Sequence, residues 1–482
     1  MRLSDLIGGN GAAAAIDIRG LSSDSRTVEG GYLFAALAGT RAKGSDFVSQ
    51  AIARGAVAVL ADTDAEIAGA GVYVVTDPNP RRRLALMASR FFGAQPDTVV
   101  AVTGTNGKSS VVDFVRQIWA ATGLRSASLG TLGVRASGMA AVPTLTTPDP
   151  IEIHARLAEL KRAGIEYLAL EASSHGLVQH RLDGVALKAA AFTNLTRDHL
   201  DYHESYDDYF LAKLRLFGEL LPPGAVAVLN AETHVYEELV DICWGRGLNT
   251  LTVGAGGELR VISRTRTSRG QELVVGFGDR RFEVSLPLIG DFQASNALVA
   301  AGLVIATGGD AAAVIPALAA LEPVPGRLQL AGRTGNGASV YVDYAHTPDA
   351  LVTLLETLRP YTEGRLHVVF GCGGDRDKGK RPLMGEAAAA LADAVIVTDD
   401  NPRGEDPAMI RREVLEGCPG AREIADRHAA IAEAIRALGP GDVLAIAGKG
   451  HEQGQIIGDT VLPFDDVAVA REALAGQGGA RG

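Results

Sequence analysis

Cysteine is scarce in this chain: Cys243, Cys372 and Cys418 are the only three in 482 residues. They form no CxxC pair and no even framework. That excludes a disulfide-stapled fold, gives no support for zinc and suits a reducing cytosol. Positive charge is also in deficit, with 46 Lys and Arg against 57 Asp and Glu and a net charge of −11. Nucleic acid and anionic membrane both recruit basic surface, so neither is expected as a principal partner. No apolar run approaches the length that spans a bilayer, and no charged-then-apolar signal pattern opens the chain. The expectation is therefore a cytoplasmic protein without membrane insertion. Gly-x-Ser-x-Gly turns and HExxH helices are missing too, which leaves acyl-serine and zinc hydrolysis without support. What the chain does have is apolar mass: 47% hydrophobic residues, in a length that suits about three domains.

The stretch around which the chain is organised is Thr98 to Ala121, TVVAVTGTNGKSSVVDFVRQIWAA. Thr98 to Val102 read as a short buried strand. Val111, Val112, Phe114, Val115, Ile118 and Trp119 then recur at helical spacing. Between them lies the turn Gly104-Thr105-Asn106-Gly107-Lys108-Ser109-Ser110. Strand, glycine turn and helix together form the context of a phosphate-binding loop. Gly104 and Gly107 would let the backbone approach phosphate oxygens, and the helix N-terminus offers free N–H groups and positive dipole. Lys108 would reach the outer phosphates and Ser109 would ligate Mg²⁺. Val102 stands where the longer motif asks for glycine, so only the compact G-T-N-G-K-S form is present. An ATP site follows as the working expectation.

Residues 1–95 form a first expected domain, with β-like runs at Gly55 to Leu60 and Gly71 to Val75. Gly20 to Gly44, dense in hydroxyls, reads as a turn-rich surface loop, and Arg81-Arg82-Arg83 as the start of a solvated helix face. Residues 96–325 alternate strands with helical stretches, the pattern of a parallel sheet covered on both faces. Strands at Tyr167 to Leu170, Ala189 to Phe192 and Ala225 to Leu229 end in polar residues, among them Glu171, Ser173, Asn194, His199 and Asn230. Gly254 to Phe282 reads as antiparallel strands appended to that sheet. The linker Glu322-Pro323-Val324-Pro325-Gly326-Arg327 opens a third domain, 326–482, which repeats the βα rhythm without a second phosphate loop. Its strands end in DYAH (Asp343 to His346), GGDRD (Gly373 to Asp377), DDNPR (Asp399 to Arg403) and GKGHE (Gly448 to Glu452). The fold class expected is α/β, with three domains. Polar strand ends are where ligands bind in such sheets, so two substrates meeting at a cleft are expected. Glu171 and His199 are candidate Mg²⁺ ligands beside Ser109, directly or through water. Either ATP is hydrolysed to move something, or its γ-phosphate activates a substrate oxygen.

The ordered motifs GTNGKS, EASSHGL, NLTRDHLDYH, PGR, DYAHTPDAL, GCGGDRDKGKRP, DNPR and GKGHE resemble those of the Mur ligases of peptidoglycan synthesis, along essentially the whole chain. The resemblance implies an N-terminal UDP-binding domain, a central ATPase domain and a C-terminal Rossmann-like domain. It implies addition of a third amino acid to UDP-MurNAc-L-Ala-D-Glu, by phosphorylation of the glutamate γ-carboxylate and attack of an amine on the acyl phosphate. By the same resemblance, Ser23, Ser25 and Thr40-Arg41-Ala42 would contact the uridine diphosphate. Thr146, Thr147, Ser173, Gln179 and Arg181 would contact the muramoyl dipeptide. Asn296, Arg327, Asp343 and His346 would contact adenosine and phosphate. Lys213 occupies the position of a carbamylated lysine (N6-carboxylysine) that would hold a second Mg²⁺, although by itself it reads as a solvated helix lysine. Asn230-Ala231-Glu232 departs from the family, where aspartate is commoner.

The family adds either meso-diaminopimelate or L-lysine. Asp400-Asn401-Pro402-Arg403 resembles the diaminopimelate motif, and Arg376, Gly448 and Glu452 match further contacts. A guanidinium fork binds a carboxylate bidentately, and Glu452 could accept from the distal ammonium. Lysine would leave Arg403 without a partner, a penalty of order ~10⁴-fold. The expected protein is a monomer acting on small molecules. A folylpolyglutamate synthetase shares the loop and the reaction type, but SSDSR and DNPR speak against it. A non-enzymatic ATP-binding scaffold is the remaining alternative.

Overall fold

The computed structural model describes residues 1–8, 13, 15–39, 43–65, 67, 71–137, 145–196, 202–267 and 269–478. Three sheets succeed one another along the chain. The first is parallel throughout, in order β1 (Gly20–Ser22), β2 (Tyr32–Ala35), β3 (Ala58–Asp62), β4 (Tyr73–Asp77). The reading of Gly20 to Gly44 as a surface loop is thus corrected, because β1 and β2 come from it. Strands of three and four residues are too short to display an alternation, yet both are almost wholly buried. Arg81 to Arg83 need a correction as well. They open the helix Pro80–Phe92, but Arg81 donates to the Ala38 carbonyl, Arg82 to Asp183 and Arg83 to the Ile7 carbonyl. These arginines stitch the first sheet's helix to its surroundings instead of only facing water.

The second sheet holds β5 (Thr98–Thr103), β6 (Ser126–Gly130), β7 (Gly133–Ala136), β8 (Tyr167–Glu171), β9 (Leu187–Phe192), β10 (Val226–Asn230), β11 (Asn249–Val253), β12 (Leu259–Thr267), β13 (Gly270–Phe277) and β14 (Arg280–Leu286). Its spatial order is β14-β13-β12-β11-β10-β9-β5-β8-β6-β7. β12 to β14 form the antiparallel extension expected over Gly254 to Phe282. β5 lies inside the parallel part, so it is buried on both faces. Val100 and Val102 enter the core beneath helices Lys108–Ala121 and Asp291–Ala306, while Val99 and Ala101 enter the core on the opposite face. That is the period of two that a strand imposes.

The third sheet runs β15-β16-β20-β17-β18-β19, from β15 (Gln329–Arg333), β16 (Ser339–Asp343), β17 (Leu366–Phe370), β18 (Ala394–Val397), β19 (Arg422–Glu423) and β20 (Val443–Ala447). Only β15 is antiparallel to its neighbour. Because β20 inserts between β16 and β17, the strand order reverses there, and such a reversal opens a crevice at the carboxyl ends. A separate hairpin, β21 (Gly454–Ile457) and β22 (Thr460–Pro463), follows β20.

Candidate active site

The phosphate loop forms at the carboxyl end of β5. Gly104 and Gly107 take φ of +139° and +85°, which disfavours any side chain. Contact distances exclude one as well: a β-carbon on Gly104 would lie 1.9 Å from Thr193 Oγ1, and one on Gly107 2.4 Å from Asn296 Oδ1. The loop is anchored to the end of β9. Thr105 N–H donates to the Asn194 carbonyl at 2.9 Å, Asn106 N–H to Asn194 Oδ1 at 2.9 Å, and Thr193 Oγ1 to the Asn106 carbonyl at 2.7 Å. Lys108 folds back over the turn and donates to the carbonyls of Gly104 (2.9 Å) and Thr105 (2.7 Å). Ser109 and Ser110 are buried at the helix start.

Lys213 is not the solvated lysine its local sequence suggests. It is 1% exposed, its ammonium donates to the Gly104 carbonyl at 2.9 Å, and it stands 4.2 Å from the centre of the Tyr209 ring. Tyr209 was not apparent as a site residue from the sequence, yet its hydroxyl donates to Thr105 Oγ1 at 3.1 Å.

The third domain reaches the loop through Arg327, in the turn before β15, whose Nη2 donates to Ser109 Oγ at 3.2 Å. Its guanidinium lies 4.3 Å from the centre of the Tyr344 ring, which itself packs against His346 and His451. Burial, assisted by the Arg327 charge, pulls the His451 imidazole down to about 3, so the ring is neutral near physiological pH. Asp343 accepts N–H bonds from Leu328 and Ala345. Burial nevertheless pushes its carboxyl upward, against the pull of Arg327 and those two bonds. Asn296, seated against Gly107, completes the group, so the four residues expected at adenosine and phosphate all gather at this junction.

A second cluster surrounds Glu171, which pairs with Val102 in register two residues before Gly104. Its carboxylate accepts from Thr131 N–H at 2.8 Å and Thr131 Oγ1 at 3.1 Å, and a β-carbon on Gly130 would strike it at 2.2 Å. Thr131, which sequence reasoning missed, also bonds Thr146 Oγ1 at 3.0 Å. Thr147 Oγ1 donates to the Glu171 carbonyl, Ser173 caps the next short helix, and Arg181 donates to Gln179 Oε1 and to the Thr147 carbonyl. Five of the expected dipeptide contacts thus sit together. Ser25 is buried with its hydroxyl on Gln50, while Ser23 is exposed. Thr40, Arg41, Ala42 and His199 lie outside the described residues. Asn230 donates to the Thr193 carbonyl at 2.9 Å, so the departure after β10 braces the strand end that anchors the loop.

The third cluster crowns β17, β18 and β20. Asn401 Nδ2 donates to Glu452 Oε2 at 2.8 Å, and Lys449 Nζ donates to Asn401 Oδ1 at 2.9 Å and Glu452 Oε2 at 3.0 Å. Gly448, at φ +114°, admits Asp400 beside it. Pro402 is buried, Arg403 donates to the Gly374 carbonyl at 2.8 Å, and Arg376 is exposed. Lys449 was unremarked in sequence because a buried lysine carries no periodic signal.

A glycine turn opening a buried helix at a central parallel strand, met by an arginine from the segment that leads into the third sheet, defines a phosphate-loop α/β protein assembled across domains. Three family descriptions match in sequence: the Mur ligase family catalytic domain over 17–92, the Mur ligase middle domain over 102–304, and the Mur ligase glutamate ligase domain over 326–450. The chain belongs to the Mur ligase family. A UDP-N-acetylmuramoyl-L-alanyl-D-glutamate--2,6-diaminopimelate ligase of Brucella melitensis is 53% identical over 466 residues, covering 96% of each chain. One from Caulobacter vibrioides bearing the same name is 54% identical over 482 residues, covering 98% of this chain and 99% of its own. A solved structure with that name aligns with a TM-score of 0.72 at 33% identity, covering 99% of both chains.

Proposed function

We propose that the chain is an ATP-dependent ligase of peptidoglycan-precursor synthesis, joining meso-diaminopimelate to the γ-carboxylate of D-Glu in UDP-MurNAc-L-Ala-D-Glu. The best support is Arg327 on Ser109, because it couples the phosphate loop to the sheet whose strand ends carry the amino-acid candidates. The names of the relatives, matched over nearly the full chain, agree with it. In this reading residues 1–95 hold the UDP end through Ser23, Ser25 and Thr40 to Ala42, and 96–325 hold the triphosphate and the dipeptide. Residues 326–482 hold diaminopimelate through Arg376, Asp400 to Arg403, Gly448 and Glu452. The substrates in this reading are small molecules, the chain is expected to act as a monomer, and ATP with a nucleotide-linked precursor suits the cytoplasm.

Phosphoryl transfer needs fixed positive groups where charge develops. Lys108, Arg327 and the loop N–H groups supply them as the bond between the β–γ bridging oxygen and the γ-phosphorus breaks and the carboxylate oxygen takes the phosphoryl group. The amine of diaminopimelate, deprotonated, then attacks the acyl carbon, and inorganic phosphate leaves. Among the described residues no three His, Cys, Asp or Glu side chains cluster as a ready metal cage. That fits Mg²⁺, which usually enters with phosphates and waters and takes one or two protein ligands. Ser109 and Glu171 are the candidates among the described residues, His199 lies outside the described residues, and the ion would neutralise phosphate charge. Lys213 as an amine has no oxygen to offer. Carbamylated, it would bring anionic oxygens to the Gly104 end of the loop, the only form in which it could serve a second ion.

The deciding experiment supplies the purified protein with ATP, Mg²⁺, UDP-MurNAc-L-Ala-D-Glu and equal diaminopimelate and L-lysine, and weighs the product. The diaminopimelate adduct is expected in large excess. A lysine adduct, or no adduct with either amino acid, overturns the reading.

A further inference from the structure

Lys449 is fully buried, and a buried ammonium costs several kcal/mol unless its hydrogens are well placed. Its turn explains how it gets there. Gly448 and Gly450, at φ +114° and +58°, flank it and leave no room for β-carbons. One on Gly448 would lie 2.6 Å from Asp400 Oδ2 and one on Gly450 2.7 Å from Tyr344 Cβ. The Gly-Lys-Gly sequence therefore turns a charged side chain inward. There it closes a triangle with Asn401 and Glu452.

The triangle fixes two orientations. Asn401 Oδ1 accepts from both Lys449 Nζ and the Ile456 N–H at 3.0 Å while Nδ2 donates to Glu452, so the amide cannot flip without losing three bonds. Glu452 Oε2 is taken by Lys449 and Asn401, whereas Oε1 has no hydrogen-bond partner among the described residues, on a side chain 30% exposed. Lys449 thereby helps fix the Glu452 carboxylate, whose second oxygen is not used by the triangle, and the Asn401 amide at the strand ends.

We propose that Lys449 is a positioning residue for the amino-acid substrate, holding Asn401 and Glu452 in the orientations that receive it without touching it. The proposal rests on the ligase reading above and adds a determinant to it. The test measures apparent KM for diaminopimelate, ATP and the UDP-linked substrate in Lys449→Met and Lys449→Gln, with thermal unfolding alongside. Because misplacement by ~1 Å can cost about 10²-fold, KM for diaminopimelate should rise roughly 10- to 100-fold in Lys449→Met. It should rise less in Lys449→Gln, whose amide still donates, and the other two constants should stay within about twofold. Lys449→Met combined with Asn401→Ala should be no worse than Asn401→Ala alone, since residues acting as one unit are not additive. If Lys449→Met does not fold, Lys449→Gln and its double variant carry the same comparison. An unchanged KM for diaminopimelate, equal losses for all three substrates, or multiplicative losses in the double variant overturn the proposal. A wild-type protein that ligates no diaminopimelate overturns the ligase reading itself.

Discussion

Arg403 holds a backbone conformation that a residue with a β-carbon rarely adopts, φ +50°, at a cost of order 1–3 kcal/mol. The hairpin restrains it: Arg403 N–H donates to the Ile456 carbonyl at 3.0 Å, and Gly458 N–H donates to the Arg403 carbonyl at 2.7 Å. Gly373 lacks a β-carbon that would otherwise lie 2.7 Å from Arg403 Nη1. The guanidinium is thus oriented before any substrate arrives, and a pre-oriented fork is what bidentate carboxylate binding requires. Arg403→Ala should raise KM for diaminopimelate by orders of magnitude, since truncating one partner of such a contact costs roughly 2–5 kcal/mol. KM for ATP and for the UDP-linked substrate should barely move. Arg403→Lys should rescue poorly, because an ammonium cannot reproduce the fork. Steady-state kinetics varying each substrate in turn decides it, and equal losses for all three would move specificity elsewhere.

Two loops of the third sheet are interlocked around Glu405, which accepts from Asp375 N–H, Arg381 and Lys378, while Asp375 accepts from Gly404 N–H. Arg381 is fully buried and also pairs with Glu413. The Arg381 hydrogen bonds hold the Glu405 carboxyl down at about 2, against an ordinary 4.5. A depressed acid stabilises the folded state above its unfolded pKa and loses that contribution as pH falls toward the folded value. Glu405→Gln should therefore be less stable than the parent near pH 7 by roughly 1–3 kcal/mol. The gap should narrow only in the window below 4.5. Chemical unfolding of both proteins from about pH 7 to about pH 3 measures it, and a gap constant across that range would mean the carboxylate charge is not what binds the loops.

The first and second domains are joined at Asp183, which is buried and takes both a surface and an interior cation. Arg215, 10% exposed, reaches both carboxylate oxygens at 2.8 Å, and Arg82, 57% exposed, reaches one at 3.1 Å. His180 approaches the same carboxylate at 3.5 Å and meets Asn79 of the first domain at 2.9 Å. Exposure decides the weights. Arg82→Ala should cost less than about 1 kcal/mol, as exposed pairs usually do. Asp183→Ala takes away Arg215's buried carboxylate partner, leaving it the exposed Glu219 and the Leu177 carbonyl, and should cost about 3 kcal/mol, the low end for a broken buried pair. Urea unfolding of the two variants tests the ranking, and equal costs would contradict it.

The phosphate loop was legible in sequence because strand, glycines, lysine and helix are consecutive, so local φ requirements and hydrophobic period specify them together. The βα rhythm of the second and third domains was legible for the same reason, since buried parallel strands are written as short unbroken apolar runs. β1 and β2 were not, because three and four residues show no period and only pairing within a sheet makes strands of them. Lys213 and Lys449 look alike in sequence to any surface lysine. Packing buries one 109 positions from the carbonyl it serves and the other 48 positions from its asparagine. Arg327 and Ser109 are separated by 218 positions. Sequence alone thus determined which local turns could bind phosphate and present strand ends. The tertiary structure decided which distant cations complete them, because burial and hydrogen-bond geometry depend on neighbours that only folding brings into contact.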